Sequence, residues 1–120
     1  MPRKTKVCLA MIVRNEEANL DEALSLAKGW ADEIVIVDDH STDRTVEIAR
    51  KYTDKIFSRK MDLEGRQRNF AVSKSSYDWV MFQDGDERLT QELKDEIDHD
   101  LDNHNGGSCG YWVPANHSYR

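Results

Sequence analysis

The segment Trp79-Val80-Met81-Phe82-Gln83-Asp84-Gly85-Asp86 indicates the fold most strongly, because two carboxylates come directly behind an apolar run. The run is typical of a buried strand, and the acidic residues follow where that strand would reach solvent. A second acidic pair, Asp38-Asp39, follows the apolar run 34–37 in the same way. Asp and Gly are also common turn residues, so either motif alone would favour a solvated turn. Together they predict two strand ends that present acidic side chains at one edge of a sheet.

Strand and helix patterns alternate along the chain. Strands are predicted at residues 7–13, 33–37, 55–58, 78–83 and 111–113. Helices are predicted from Leu20 to a stop at Gly29, from Ser41 or Thr42 onward, over 65–74, and after a cap at Thr90. Asn19 and Glu22 resemble a capping box for the first helix. This alternation predicts an α/β fold, a mostly parallel sheet with helices on both faces, which binds ligands beyond the carboxyl ends of its strands.

Length, charge and composition exclude several classes of protein. The 120 residues suit a single domain, and a net charge of −6 argues against a nucleic-acid partner held by a basic surface. No apolar stretch is long enough to span a membrane, and no signal peptide is apparent. We therefore expect a cytoplasmic protein that is not transmembrane, with peripheral contact at the inner face of the membrane left open. Cys8 and Cys109 lack ligand spacing and are expected to be free thiols.

Two nucleotide-binding motifs are absent, and one competing fold stays open. A dinucleotide-binding turn needs glycines after the first strand, where this chain has Arg14-Asn15-Glu16-Glu17, and no GxxxxGK[ST] loop occurs. A phospho-receiver domain stays an alternative, because it also combines an acidic pair with an Asp after a later strand. In receivers, however, the acidic pair follows the first strand. A lysine also supplies their phosphate-binding cation, and none occurs here after Lys94.

The two carboxylates of Asp84 and Asp86 fit a hard divalent cation. At this spacing they can bind one Mn²⁺ or Mg²⁺ and leave coordination positions open for substrate phosphates. The glycine between them would let the backbone turn tightly. The sequence therefore predicts a metal site at this strand end.

Four motifs occur in the order seen in family 2 glycosyltransferases of the GT-A fold, which this chain resembles. They are MIVRNEE at 11–17, IVIVDDHSTDRT at 34–45, GRQRNFA at 65–71 and DWVMFQDGDE at 78–87. The resemblance is greatest to bacterial enzymes that glycosylate lipopolysaccharide core or related surface glycans. It implies that residues 1–120 form a Rossmann-like nucleotide-sugar-binding domain. This would be the donor-binding half of the family fold, truncated after the metal-binding turn and the following helix and strand, without the acceptor-binding half.

The resemblance implies which residues surround the nucleotide. Ile12, Val13 and Asn15 would lie around the base. Asp39 would accept a hydrogen bond from a base N–H, which favours UDP. Asp38 belongs to the same nucleotide-sugar site and is expected to order the turn beside it.

The remaining implied roles concern the metal and the diphosphate. Asp86 would bind Mn²⁺ or Mg²⁺ directly, as part of a DXD motif, and Asp84 would face the ribose or the metal. Arg68 would lie near the base or the diphosphate. Without the motif, a helix-surface salt bridge between Arg68 and Glu64 is the simpler expectation.

The implied activity is inverting glycosyl transfer from a nucleotide sugar to a glycan or lipid-linked acceptor. No catalytic base is identifiable, because in the family it lies downstream of the final strand. Glu87, adjacent to Asp86, is better placed to support the metal turn. A catalytically silent nucleotide-sugar-binding or assembly module therefore stays an alternative. A homo-oligomer would cover the exposed sheet edge.

Overall fold

The chain folds as alternating strands and helices. A computed structural model describes residues 5–102 and the backbone of 110–112. The strands are β1 Val7–Val13, β2 Glu33–Asp38, β3 Ile56–Ser58, β4 Trp79–Phe82 and β5 Gly110–Trp112. The helices are α1 Leu20–Ala27, α2 Thr45–Ala49, α3 Glu64–Ser73 and α4 Gln91–Asp102. The predicted strands are confirmed, although Val113, expected to end the last one, lies outside the described residues.

The strands form one five-stranded sheet in the order β3-β2-β1-β4-β5, and every neighbouring pair is parallel. The chain first runs from β1 outward to β3 and then returns to place β4 on the other side of β1. The order therefore reverses between β1 and β4. In parallel α/β sheets, the loops that leave the strands at such a point diverge and form the ligand crevice.

The register sets the relative heights of the strand ends. Val13 pairs with Asp38, so β1 and β2 end level with each other. Ala10 pairs with Phe82, so β4 ends before β1 does. The acidic turn after β4 consequently begins beside the last residues of β1.

Two apolar layers cover the sheet, because alternate side chains of each strand point to opposite faces. The α1 face packs against α1, α2 and α4 and includes Leu9, Met11, Val13, Leu24, Ile36, Met81, Ile97 and Leu101. The α3 face packs against α3 and includes Cys8, Ala10, Val35, Val37, Ala71, Val80 and Phe82. Burial on both faces explains why the central strands are near-continuous apolar runs.

The helix ends confirm some local predictions and correct others. Gly29, with φ of 89°, follows the end of α1, and the Thr90 hydroxyl oxygen accepts from the Leu93 N–H at 3.2 Å as a cap of α4. The capping box at α1 is wrong, since the Asn19 side chain makes no capping hydrogen bond to the helix and the Glu22 carboxylate accepts from Arg88 instead. The helix expected from Ser41 or Thr42 begins later, at Thr45.

Candidate functional site

The acidic turn after β4 presents its carboxylates to solvent. The Glu87 N–H donates to the Asp84 carbonyl at 3.1 Å, which closes the turn, and the Asp84 N–H donates to the Glu87 carboxylate at 2.6 Å. Asp84 and Asp86 are exposed, whereas Gly85 between them is buried. The turn therefore holds its backbone against the protein and leaves two carboxylates available for a ligand.

Gly85 is required by a close contact and not by an unusual backbone angle. A Cβ at this position would lie 2.7 Å from Cδ and 2.8 Å from Oε1 of Glu16, and the φ of Gly85 is outside the left-handed region. The expected role of this glycine in allowing a tight turn is thus replaced by a packing role. Glu16, in the loop after β1, brings a third carboxylate to the acidic turn, and the sequence pattern gave no signal of this contact.

The loops after β1 and β2 brace each other. The Asn15 N–H donates to the Ser41 hydroxyl oxygen, and the Asn15 side-chain oxygen accepts from the Thr42 N–H, both at 2.8 Å. Asn15 and His40 have backbone φ angles of 52° and 49°, which residues other than glycine rarely adopt. Strained residues of this kind cluster at ligand sites, and both lie at the carboxyl edge of the sheet.

Asp38 and Asp39 have different surroundings. Asp38 is 3% exposed, and its carboxylate accepts from the backbone N–H and the hydroxyl of Ser41. It orders the turn after β2, as expected. Asp39 Oδ1 accepts from the Met61 N–H at 2.8 Å, while Oδ2 lies 4.0 Å from the Arg14 guanidinium. One oxygen of Asp39 therefore carries no close hydrogen-bond donor among these contacts.

Ile12 and Val13 end β1 on opposite faces. Val13 is 1% exposed on the α1 face, and its carbonyl accepts from the Asp39 N–H at 2.9 Å. Ile12 is partly buried on the α3 face. Contact of Val13 with a ligand is therefore confined to its backbone, whereas the Ile12 side chain lies toward the side where Asp39 is found.

Arg68 projects from α3 over the end of β4. Its guanidinium lies 2.9 Å from the Glu64 carboxylate, as the simpler expectation had it, and 5.1 Å from the centre of the Phe82 ring. Phe82 is two residues before Asp84. Arg68 is half-exposed, so its cationic head can exchange Glu64 for an anionic ligand at this strand end.

Four of the predicted residues lie on one side of the carboxyl edge. Continuing the alternation of each strand puts Ile12, Asp39 and Asp84 on the α3 face, where Arg68 also lies. The ends of β2 and β4 flank β1 and are thus two strand spacings apart, about 10 Å. Within residues 5–102, no three His, Cys, Asp or Glu side chains are arranged to hold a metal ion by themselves. Asp84 and Asp86 fit a divalent cation that takes its other ligands from a bound molecule.

A cleft of about 820 Å³ lies at the opposite, amino-terminal edge of the sheet. The carbonyl ends of α1 and α2 border it and disfavour anions. Its lysines are occupied: Lys28 donates to the Tyr52 carbonyl at 2.9 Å, and Lys55 is paired with Glu33. Burial opposes ionisation of Glu33, but hydrogen bonds from Lys55 and Ser76 hold its pKa below the ordinary value. This cleft contains none of the predicted site residues.

Comparison with known proteins identifies the family. Residues 8–118 match the sequence profile of the family described as glycosyl transferase family 2. The chain belongs to this family. The predicted family resemblance is thereby confirmed. The parallel sheet and the similarity to the solved structure of Staphylococcus aureus TarS confirm the GT-A type α/β fold.

Similar proteins are known from several bacteria. An uncharacterized glycosyltransferase of Rickettsia typhi is 39% identical over 100 residues, which is 83% of this chain and 34% of that protein. A counterpart in Rickettsia prowazekii is 37% identical over the same shares. The crystal structure of residues 1–349 of Staphylococcus aureus TarS superposes with a TM-score of 0.64 at 28% identity, over 83% of this chain and 33% of that chain. The chain thus spans about a third of the length of these relatives.

No helix among the described residues is long and apolar enough to cross a membrane.

Glu16 and Arg88, both in contact with the acidic turn, were not identified from the sequence. Glu16 contacts Gly85 from far along the chain, and Arg88 joins the nearby turn to the distant residues Asn19 and Glu22. No local pattern could have revealed these long-range contacts.

Proposed function

We propose that this chain binds a nucleoside-diphosphate sugar, favouring UDP, through a divalent cation held by Asp84 and Asp86. The bound donor would serve inverting glycosyl transfer to a glycan or lipid-linked acceptor. Family membership supports the reaction class, and one structural observation carries the site. Two exposed carboxylates flank a buried glycine at the carboxyl edge of the sheet, where the strand order reverses.

The nucleoside would lie across the end of β1, between Asp39 and the acidic turn. Asp39 Oδ2 is the oxygen available to a base N–H, because Oδ1 is already bonded to the Met61 N–H. Ile12 offers an apolar contact on the same side. A uracil ring presents an N–H of the required kind, which favours UDP over a nucleotide that presents only acceptors there.

The diphosphate would lie between the acidic turn and Arg68. Asp86 and Asp84 would hold Mn²⁺ or Mg²⁺, and the cation when bound would stabilise the negative charge that develops on the leaving diphosphate. Arg68 would leave Glu64 and add a second positive charge near the phosphates. No residue of the chain is assigned as the base that accepts the acceptor proton.

The alternatives differ in how well they agree with the fold. A phospho-receiver is disfavoured, because receivers have the strand order 2-1-3-4-5 and this sheet has the order 3-2-1-4-5. A catalytically silent binding module shares the same nucleotide site. It differs in turnover, so binding and transfer need separate measurements.

Calorimetric titration with UDP, in Mn²⁺ and in EDTA, tests the proposal. We expect the wild type to bind UDP at least about tenfold more tightly in Mn²⁺, and Asp86→Asn to lose most of that difference, because a direct metal ligand loses its negative charge. Asp54→Asn is the matched control. It makes the same change of charge on an exposed residue of the amino-terminal cleft and should bind like the wild type.

Two results would overturn the proposal. One is equal UDP affinity in Mn²⁺ and in EDTA. The other is a loss of affinity in Asp54→Asn as large as in Asp86→Asn. TarS is named a poly(ribitol-phosphate) beta-N-acetylglucosaminyltransferase, so UDP-N-acetylglucosamine is the first donor to test for turnover. Binding without turnover of any donor would favour the silent module.

A further inference from the structure

The side chain of Arg88 reaches back across the acidic turn. Its Nη1 donates to the Gly85 carbonyl at 3.1 Å and to the Glu87 carbonyl at 2.9 Å. Its Nε donates to the Glu22 carboxylate at 3.0 Å, and Nη2 donates to the Asn19 side-chain oxygen at 3.4 Å. Asn19 and Glu22 lie at the start of α1. One guanidinium therefore joins the backbone of the acidic turn to the amino-terminal end of that helix.

This arrangement uses properties that lysine lacks. The guanidinium is planar and has five N–H donors in fixed directions, so it can meet two carbonyls on one side and two side chains on the other. The Arg88 side chain is 26% exposed, so it is largely shielded from water. The Glu22 side chain is 71% exposed, so water screens its charge and it acts on Arg88 mainly as a hydrogen-bond acceptor.

The start of α1 reaches the acidic turn by a second contact. The Asn19 amide donates to the Glu16 carboxylate at 3.4 Å, and the Glu16 side chain packs directly on Gly85. Gly85 is thus held at its carbonyl by Arg88 and at its Cα by Glu16. Both contacts act on the backbone between Asp84 and Asp86, and both carboxylates remain exposed.

We propose that Arg88 is a positioning residue for the divalent cation, an inference that rests on the proposed function. Arg88 fixes the backbone of the acidic turn to α1, so that the carboxylates of Asp84 and Asp86 converge on one ion before it binds. It touches neither the cation nor the nucleotide. Without Arg88, the turn would adopt several conformations, and the free-energy cost of ordering the turn would weaken cation binding.

The test compares Arg88→Lys with Arg50→Lys, an exposed arginine of the amino-terminal cleft. UDP affinity is measured as a function of Mn²⁺ concentration. We expect Arg88→Lys to need about tenfold more Mn²⁺ to reach half of the maximal increase in UDP affinity, as is usual when a residue that orients metal ligands is lost. UDP affinity in EDTA should stay at the wild-type value. Arg50→Lys should match the wild type in both respects.

Amide hydrogen exchange gives a readout that does not depend on UDP. The Glu87 N–H is bonded within the turn, so its exchange should quicken by about tenfold or more in Arg88→Lys, while amides of β1 stay protected. Glu22→Gln keeps a hydrogen-bond acceptor for Arg88 and should change Mn²⁺ dependence little. A large effect of Glu22→Gln would mean that charge, and not position, controls the metal.

The possible failures can be told apart. A wild type without metal-dependent UDP binding overturns the proposed function and, with it, the metal role of Arg88. A metal-dependent wild type whose Mn²⁺ requirement is unchanged in Arg88→Lys overturns the positioning role alone. A lower melting temperature in Arg88→Lys, with Mn²⁺ dependence and Glu87 exchange unchanged, would show a purely structural role and also overturn it.

Discussion

Replacing Gly85 by alanine tests whether Glu16 sets the packing of the acidic turn. The new methyl would lie 2.7 Å from Cδ and 2.9 Å from Cγ of Glu16. Carbon atoms prefer separations near 3.7 Å, so Glu16 must move by about 1 Å. Its carboxylate is held by an Asn19 contact of 3.4 Å, so the side chain can rotate away at a cost of about 1 kcal/mol. Alanine also lowers the conformational entropy of the unfolded chain, which offsets roughly 0.4–1 kcal/mol of that cost.

A double-mutant cycle separates these two effects. Gly85→Ala alone should change the free energy of unfolding little. In the Glu16→Ala background the clash is gone, so Gly85→Ala should stabilise by roughly 0.4–1 kcal/mol. Urea unfolding of the four proteins measures the coupling, expected near 1 kcal/mol. An equal effect of Gly85→Ala in both backgrounds would refute the reasoning, because a backbone requirement would then explain the glycine.

Two further predictions concern the amino-terminal end of the sheet. Hydrogen bonds outweigh burial and lower the pKa of Glu33, so the ionised carboxylate stabilises the fold above its ordinary pKa near 4.5, and this stabilisation is lost as pH falls. In urea unfolding from about pH 5 to 3, Glu33→Gln should therefore lose stability less steeply than the wild type. An equally steep loss in both proteins would contradict this. Burial raises the pKa of Cys8 to about 12, so iodoacetamide at pH 8 should alkylate Cys8 only after unfolding, as peptide mass mapping would show. Rapid alkylation in the native state would contradict the burial of β1.

The elements of the fold could be predicted because their signals are local. Apolar runs marked β1, β2 and β4, and Gly29 and Thr90 marked helix ends. The start of α2 was misplaced, since Ser41 and Thr42 bond to Asp38 and Asn15 and not to the helix. The capping box failed for the same reason. Thr42 and Glu22 have distant partners, Asn15 and Arg88, that a local motif does not show.

The residues of the candidate site could be proposed from the sequence, but the side chains that hold the acidic turn in place could not. Carboxyl ends of parallel strands meet at one edge, so Asp39 and Asp84 were expected to be near each other. Glu16 precedes the acidic turn in the sequence and Arg88 follows it. The contact of Glu16 with Gly85 joins the loop after β1 to the turn after β4. Only the strand order, with β4 beside β1, makes that contact possible. Neither composition nor periodicity encodes that order directly.

Paramagnetic broadening by Mn²⁺ tests the central claim most directly. In amide NMR spectra with UDP present, sub-stoichiometric Mn²⁺ should broaden the signals of residues 84–87 and of Glu16 first, because broadening falls steeply with distance from the ion. Asp54 and Lys55, at the opposite edge of the sheet, should stay sharp. Broadening centred on that opposite edge, with the acidic turn unaffected, would contradict a cation site at Asp84 and Asp86.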